Sequence, residues 1–122
     1  MPTYRTRLGN RGEKLAAEHL KGLGFLILDT NFRCRAGEID IVARQGDTLV
    51  FVEVRTRRGS AFGTPQESLT PAKGRKIIIT AQTYLQTHED LPLDWRIDVV
   101  AVEMDRGGKL LRLELIENAF SG

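Results

Sequence analysis

The feature that most constrains this chain is a pair of alternating segments joined by a glycine-led turn. Residues 38–44 place Ile39, Ile41 and Ala43 on one side of an extended strand, and Glu38, Asp40 and Val42 on the other. Residues 48–57 alternate likewise, with Val50, Val52 and Val54 set against Leu49, Phe51, Glu53 and Arg55. A period of two over such a length belongs to a strand. Between the segments, Gly46-Asp47 suits a two-residue type II′ turn, which takes glycine at its first central position. That turn sets Gln45 opposite Thr48 and so fixes the later pairs. Ile39 faces Val54, Ile41 faces Val52 and Ala43 faces Val50; on the other side Val42 meets Phe51, Glu38 meets Arg55, and Asp40 meets Glu53. A slip of one residue would put apolar side chains on the wrong face of both strands.

The pairing of Asp40 with Glu53 needs compensation. Residues directly opposed across an antiparallel pair have Cβ atoms about 4.5–5.5 Å apart, and like charges there destabilise the sheet. A raised pKa on one member, a neighbouring base or a bound cation would each relieve it. Two hard oxygen ligands directed at one point, completed by water and a phosphate, suit Mg²⁺. Such an ion polarises a phosphoryl oxygen and generates a hydroxide nucleophile at neutral pH. Arg55 shares the face of Glu53 and suits a phosphate oxygen. The plainer alternatives are an exposed Arg55–Glu38 ion pair worth under about 1 kcal/mol, and carboxylates solvated or paired with arginines elsewhere.

Around this hairpin the sequence predicts two helices and three further strands. Asn10-Arg11-Gly12-Glu13 has the capping-box pattern, and Leu15, Ala16, His19, Leu20 and Leu23 follow at helical spacing up to Gly24. Residues 25–29 read as a strand, with 31–35 as its continuation or an edge. Residues 57–69 read as a loop carrying Arg57 and Arg58. Thr70-Pro71 opens a second helix striped by Ile77, Ile78, Ala81, Tyr84 and Leu85, ending near His88. Residues 95–103 and 109–117 alternate as strands around Asp105-Arg106-Gly107-Gly108. The expected fold is α/β: a central mixed five-stranded sheet flanked by helices, in the order αβββαββ. One domain spans residues 1–122, with 1–8 and 121–122 as flexible ends.

Composition narrows the function classes. The 122 residues hold 18 Lys+Arg and 16 Asp+Glu, a net charge of +2. Residues 1–76 carry +6 and residues 77–122 carry −4, so a basic face for an anionic partner is expected. The single cysteine, Cys34, excludes an internal disulfide and a Cys-built zinc site. No apolar run approaches the ~20 residues of a membrane span. Met1-Pro2-Thr3-Tyr4-Arg5 lacks an apolar signal region. A cytoplasmic protein with no membrane partner is expected. His19 and His88 lack metal-ligand spacing, and Tyr84 and Trp95 are assigned to the core rather than to base stacking. Asp98, an acid between Ile97 and Val99, is either a further member of the polar cluster or a buried partner for Arg96 or a helix lysine.

Gly37-Glu38-Ile39-Asp40 followed by Phe51-Val52-Glu53-Val54-Arg55 resembles the motif pair of the PD-(D/E)XK nuclease superfamily. From about Gly9 to Phe120 the chain is similar to the small bacterial YraN-like group within it, related in fold to archaeal Holliday-junction resolvases. Gly12-Glu13, Asn31-Phe32-Arg33 and Arg96-Ile97-Asp98-Val99-Val100 belong to the same likeness. The resemblance implies a restriction-endonuclease-like core and a Mg²⁺- or Mn²⁺-dependent endonuclease, a phosphodiester hydrolase acting on nucleic acid, DNA ahead of RNA. It implies Asp40 and Glu53 as metal ligands, Glu13 as an assisting acid and Arg55 in the superfamily's lysine position, with resolvase-like dimers as the assembly. Arg57, Arg58, Lys73, Arg75 and Lys76 are the candidate phosphate contacts, and Glu38 a further acid of the site. Arginine in place of lysine removes a group able to take a proton from water. The alternatives are a nucleic-acid-binding module with little or no cleavage, and a scaffold whose acidic cluster is structural.

Overall fold

The computed structural model describes residues 4–59 and 70–120, with side chains from Asn10 onward. Helix α1 (Tyr4–Gly22) is followed by strands β1 (Leu26–Cys34), β2 (Gly37–Gln45) and β3 (Thr48–Arg58). Helix α2 (Pro71–Thr87) leads to β4 (Asp94–Met104) and β5 (Leu110–Ile116), so the order αβββαββ is observed. The strands form one sheet in the order β1-β2-β3-β4-β5. β3 and β4 run parallel, with α2 in the crossover between them, and the other neighbours run antiparallel.

The hairpin register is the predicted one from the turn outward. Gln45 pairs with Thr48, Ala43 with Val50 and Ile41 with Val52. Gly46 takes φ 58 while Asp47 does not, the φ signs of a type II′ turn. α2 also starts as its sequence demands: Thr70 is the N-cap, its Oγ1 accepting from Lys73 N at 3.3 Å, with Pro71 next.

Two apolar layers cover the sheet. On one face Ala16 and Leu20 of α1 pack with Ile41, Ala43, Val50, Val52, Val100 and Val102. On the other, Ile77, Ala81 and Tyr84 of α2 pack with Ile39, Val42, Leu49, Phe51 and Ile97. Each fully buried aliphatic side chain contributes about 1.5–3 kcal/mol. Tyr84 meets Phe32 and Phe51 edge-on, with ring centroids 5.0 and 5.7 Å apart, and Phe51 meets Trp95 in the same way at 5.7 Å. These contacts fix α2, and its lysines, over β2 and β3. Tyr84 is core, as expected, and Trp95 packs against it.

Four expectations need correction. α1 begins at Tyr4, so residues 4–8 are helical rather than a flexible end, and Asn10 lies inside the helix, not at its cap. Arginine and leucine before Asn10 are good helix formers, and a capping-box pattern does not forbid continuation. Ile39 packs on the α2 side with Val42, not with Ile41 and Ala43. Arg57 and Arg58 lie on β3, which pairing with Glu103 and Met104 of β4 extends past the hairpin. The fourth concerns Asp40 and Glu53 themselves.

Candidate active site

The β2–β3 ladder ends at Ile41–Val52, one step before Asp40 would meet Glu53. Beyond that point β3 remains paired with β4, whereas β2 remains paired with β1. The strands fork, and the Asp40 carboxylate fills the gap by accepting the Val54 N–H at 2.7 Å. A side chain thus replaces a carbonyl in satisfying a strand amide. Past the fork the strict alternation of β2 is lost. Ile41 and Asp40 turn toward α1, while Ile39 and Glu38 turn toward α2.

A cleft opens on each face of the sheet here. The α2-side cleft, about 160 Å³, is lined by Glu38, Glu53 and Arg55 together with Lys73, Lys76, Ile77 and Thr80 of α2. The α1-side cleft, about 290 Å³, is lined by Asn10, Glu13, Lys14, Thr30, Asn31 and Asp40. The two acids expected to face each other on one side of a regular hairpin therefore open to opposite clefts. Glu13 and Asp40 line this α1-side cleft together, close enough for each to shift the other's pKa.

The carboxylates sense one another strongly. The Asp40 carboxyl is pushed up to about 8, chiefly by burial and next by Glu53, with smaller additions from Glu13 and Glu38, against the Val54 hydrogen bond. Burial also raises Glu53, chiefly against the opposing charge of Arg55. Glu13 is raised by burial and then by Glu38. All three shifts favour the protonated forms, the expected response of like charges brought together in a partly buried site.

Arg55 Nη2 lies 3.1 Å from Glu53 Oε1, both side chains largely buried, so its ion-pair partner is its own strand neighbour. Glu38, expected opposite Arg55, pairs with Arg33 at 3.5 Å. Arg55 Nε is buried with no hydrogen-bond partner among the described residues. Lys73 is close enough to Glu53 to oppose its rise. Among the described residues no three acidic, histidine or cysteine side chains are gathered as a ready-made metal cage. The donors at the fork are two carboxylates with room around them.

The other candidates separate clearly. Lys73 and Lys76 join the α2-side cleft; Arg75, also on α2, is exposed and is not among its lining residues. Arg58 points elsewhere: its Nε donates to the Asp105 carbonyl at 3.3 Å, at the β4–β5 turn. Arg57 lies between them on β3, across from Glu103. Asp98 is fully buried and holds Arg96 through Nε at 3.0 Å and Nη2 at 3.1 Å, and it accepts Asn118 N–H at 2.9 Å. This is the buried-partner alternative, and it ties β4 to the segment after β5. Sequence reasoning gave no role to Asn31, which stands between Glu13 and Glu38. An asparagine inside a strand was the available signal, since it is a poor strand former that tolerates left-handed backbone. No helix among the described residues is long and apolar enough to cross a membrane.

The profile of the uncharacterised protein family UPF0102 matches residues 12–102, a span that holds every residue of the fork. A UPF0102 protein of Geobacter sulfurreducens is 50% identical over 113 residues, covering 93% of this chain and 88% of its own. One from Dehalococcoides mccartyi is 48% identical over 119 residues, covering 98% and 97%. Another, from Caldicellulosiruptor saccharolyticus, is 45% identical over 116 residues, covering 95% and 98%. With alignments running almost end to end in both directions, the chain belongs to the UPF0102 family, the YraN-like group.

Proposed function

We propose that this protein is a metal-dependent endonuclease of the PD-(D/E)XK type, with a restriction-endonuclease-like core, hydrolysing phosphodiester bonds in nucleic acid, DNA ahead of RNA. The observation that carries the reading is the strand fork, where Asp40 and Glu53 flank a break in the ladder and Glu53 shares its cleft with Arg55, Lys73 and Lys76.

The donor set suits Mg²⁺ or Mn²⁺. Mg²⁺ takes hard oxygens, commonly one or two carboxylates with water and phosphate oxygens filling the shell. Asp40 and Glu53 open to different clefts but are near neighbours across the break, Glu53 being the charge that acts most on Asp40. Together they would hold the ion, which when bound supplies charge to polarise a phosphoryl oxygen and to acidify water. Lys73 and Lys76 neutralise backbone phosphates as the strand enters the cleft. Arg55 clamps the scissile phosphate, whose oxygen would satisfy the buried Nε. Being permanently charged, Arg55 stabilises the transition state and takes no proton. Glu13, which lines the α1-side cleft with Asp40, is the group placed to hold or move a proton there.

One observation favours the binding-module alternative. The Arg55–Glu53 contact neutralises one of the two ligands internally, which would weaken an ion's hold. A panel of duplex, single-stranded, flap and four-way-junction DNA with Mn²⁺, run on wild type and Asp40→Asn, decides between them. Cleavage by wild type alone supports the nuclease. Retention of intact DNA in a gel by both proteins supports the binder. No retention even at low salt removes both readings.

A further inference from the structure

Asn31 lies between the Thr30–Ile41 and Phe32–Ile39 pairs, directly across from Asp40. Its backbone is left-handed, with φ 54, a conformation asparagine adopts far more readily than bulky residues. The consequence is a break in the alternation of β1 matching that in β2. Thr30 and Asn31 line the α1-side cleft, whereas Phe32 joins the α2-side core. Oriented as two flanking carboxylates require, the Asn31 amide nitrogen donates to Glu38 Oε1 at 3.0 Å and Glu13 Oε2 at 3.3 Å. Glu38 lines the α2-side cleft and Glu13 the α1-side cleft, so this one side chain bridges the two sides of the fork.

The chemistry of the bridge matters. A lysine or arginine here would put a resident cation among the acids and compete with a metal ion. An aspartate would add another repelling charge. A neutral amide offers two N–H donors to two carboxylates and leaves the net negative charge of the site intact. Conserving that charge while fixing the acids is what a cation site asks of its supporting residues.

We propose that Asn31 is the positioning residue of this site: its amide holds Glu13 and Glu38 beside Asp40, while its left-handed backbone turns Asp40 out of the regular ladder. The inference rests on the nuclease reading. Asn31→Gly keeps the left-handed backbone accessible and deletes the amide. Asn31→Asp keeps size and backbone tolerance but exchanges the donor for a carboxylate. On the full chain, Mn²⁺ affinity is measured by calorimetry, kcat and KM on a DNA that wild type cleaves, and the thermal midpoint by circular dichroism. Both variants should bind Mn²⁺ roughly tenfold or more weakly. Their kcat should fall with KM little changed, and their midpoints should stay within a few degrees of wild type. If both bind Mn²⁺ and cleave like wild type, Asn31 only kinks the strand; the proposal falls and the nuclease reading stands. A collapse of both midpoints assigns Asn31 to folding and also overturns it. Absence of Mn²⁺ binding and cleavage in wild type removes the nuclease reading, and this proposal with it.

Discussion

Replacing Asp40 by asparagine should make the metal-free protein more stable at alkaline pH while abolishing its response to divalent cations. The folded-state carboxyl lies near 8 against an ordinary value of 3.8. A carboxyl raised on folding binds its proton more tightly in the native state. Its stabilising contribution is complete below the ordinary value and is lost as pH rises toward the folded value. Between pH 5 and pH 8 the loss follows about 1.4 kcal/mol per pH unit, or about 4 kcal/mol in all. That is a large part of the 5–15 kcal/mol typical of a domain. Asparagine does not titrate, and its side-chain oxygen still accepts the Val54 N–H that Asp40 now accepts at 2.7 Å.

Urea unfolding in chelator at pH 5, 6.5 and 8 provides the assay. Wild type should lose stability across the series, with the variant's curve several kcal/mol flatter. Added Mn²⁺ at pH 8 should restore wild type, by about 2.7 kcal/mol at a hundred times its dissociation constant, and leave the variant unmoved. Parallel curves for the two proteins in chelator would show that Asp40 is not the group taking up the proton, and the electrostatic account of the fork would be wrong.

Other expectations follow from the packing and the charges. A Cβ on Gly12 would run into Thr56 Oγ1, so Gly12→Ala should push α1 from β3 and destabilise the protein by about 1–3 kcal/mol in urea, with partial recovery in the Thr56→Ala background. Asp98→Ala removes the fully buried carboxylate to which Arg96 and the Asn118 N–H donate, and with Arg96 still held by Gln45 at 2.8 Å it should lose about 1.5–3 kcal/mol without altering Mn²⁺ affinity in the folded protein. Lys73→Ala with Lys76→Ala should weaken duplex binding at every sequence and lower the slope of log affinity against log salt by roughly 0.9 per lost phosphate contact, read by fluorescence anisotropy. An unchanged slope would remove both lysines from the interface.

The parts of the fold legible in the sequence were those governed by local periodicity. Gly46 fixes the turn, and the turn fixes the pairs out to Ile41–Val52, because the apolar faces on both sides resist any slip. Thr70-Pro71 announces α2 for equally local reasons. What was not legible depends on a third strand. The hairpin arithmetic treats β2 and β3 as alone, but β1 holds one and β4 the other, and their pull opens the ladder at Asp40. Ile39 changes sides for the same reason. Nothing in the alternation of residues 38–44 reveals it; the clue sits a strand away, in an asparagine with positive φ. The same β4 pairing carries Arg57 and Arg58 beyond the point where a loop was expected.

On the nuclease reading, the fork also bears on why an arginine can stand where the PD-(D/E)XK motif has a lysine. In a regular hairpin Arg55 would lie across from Glu38 and serve as an exposed partner. In the fork it is drawn against Glu53 at 3.1 Å, while Glu38 turns to Arg33 and Asn31. A lysine here could give up its proton under such burial, but the guanidinium keeps its charge. On the nuclease reading, proton handling would then fall to the acids of the α1 side, where Glu13 and Asp40 line one cleft. On that reading the two clefts would divide the work: fixed positive charge toward α2 for the phosphate, and carboxyls toward α1 for the proton. An enzyme built this way would owe its pH dependence to Glu13 and Asp40, the carboxyls that burial and their neighbours raise.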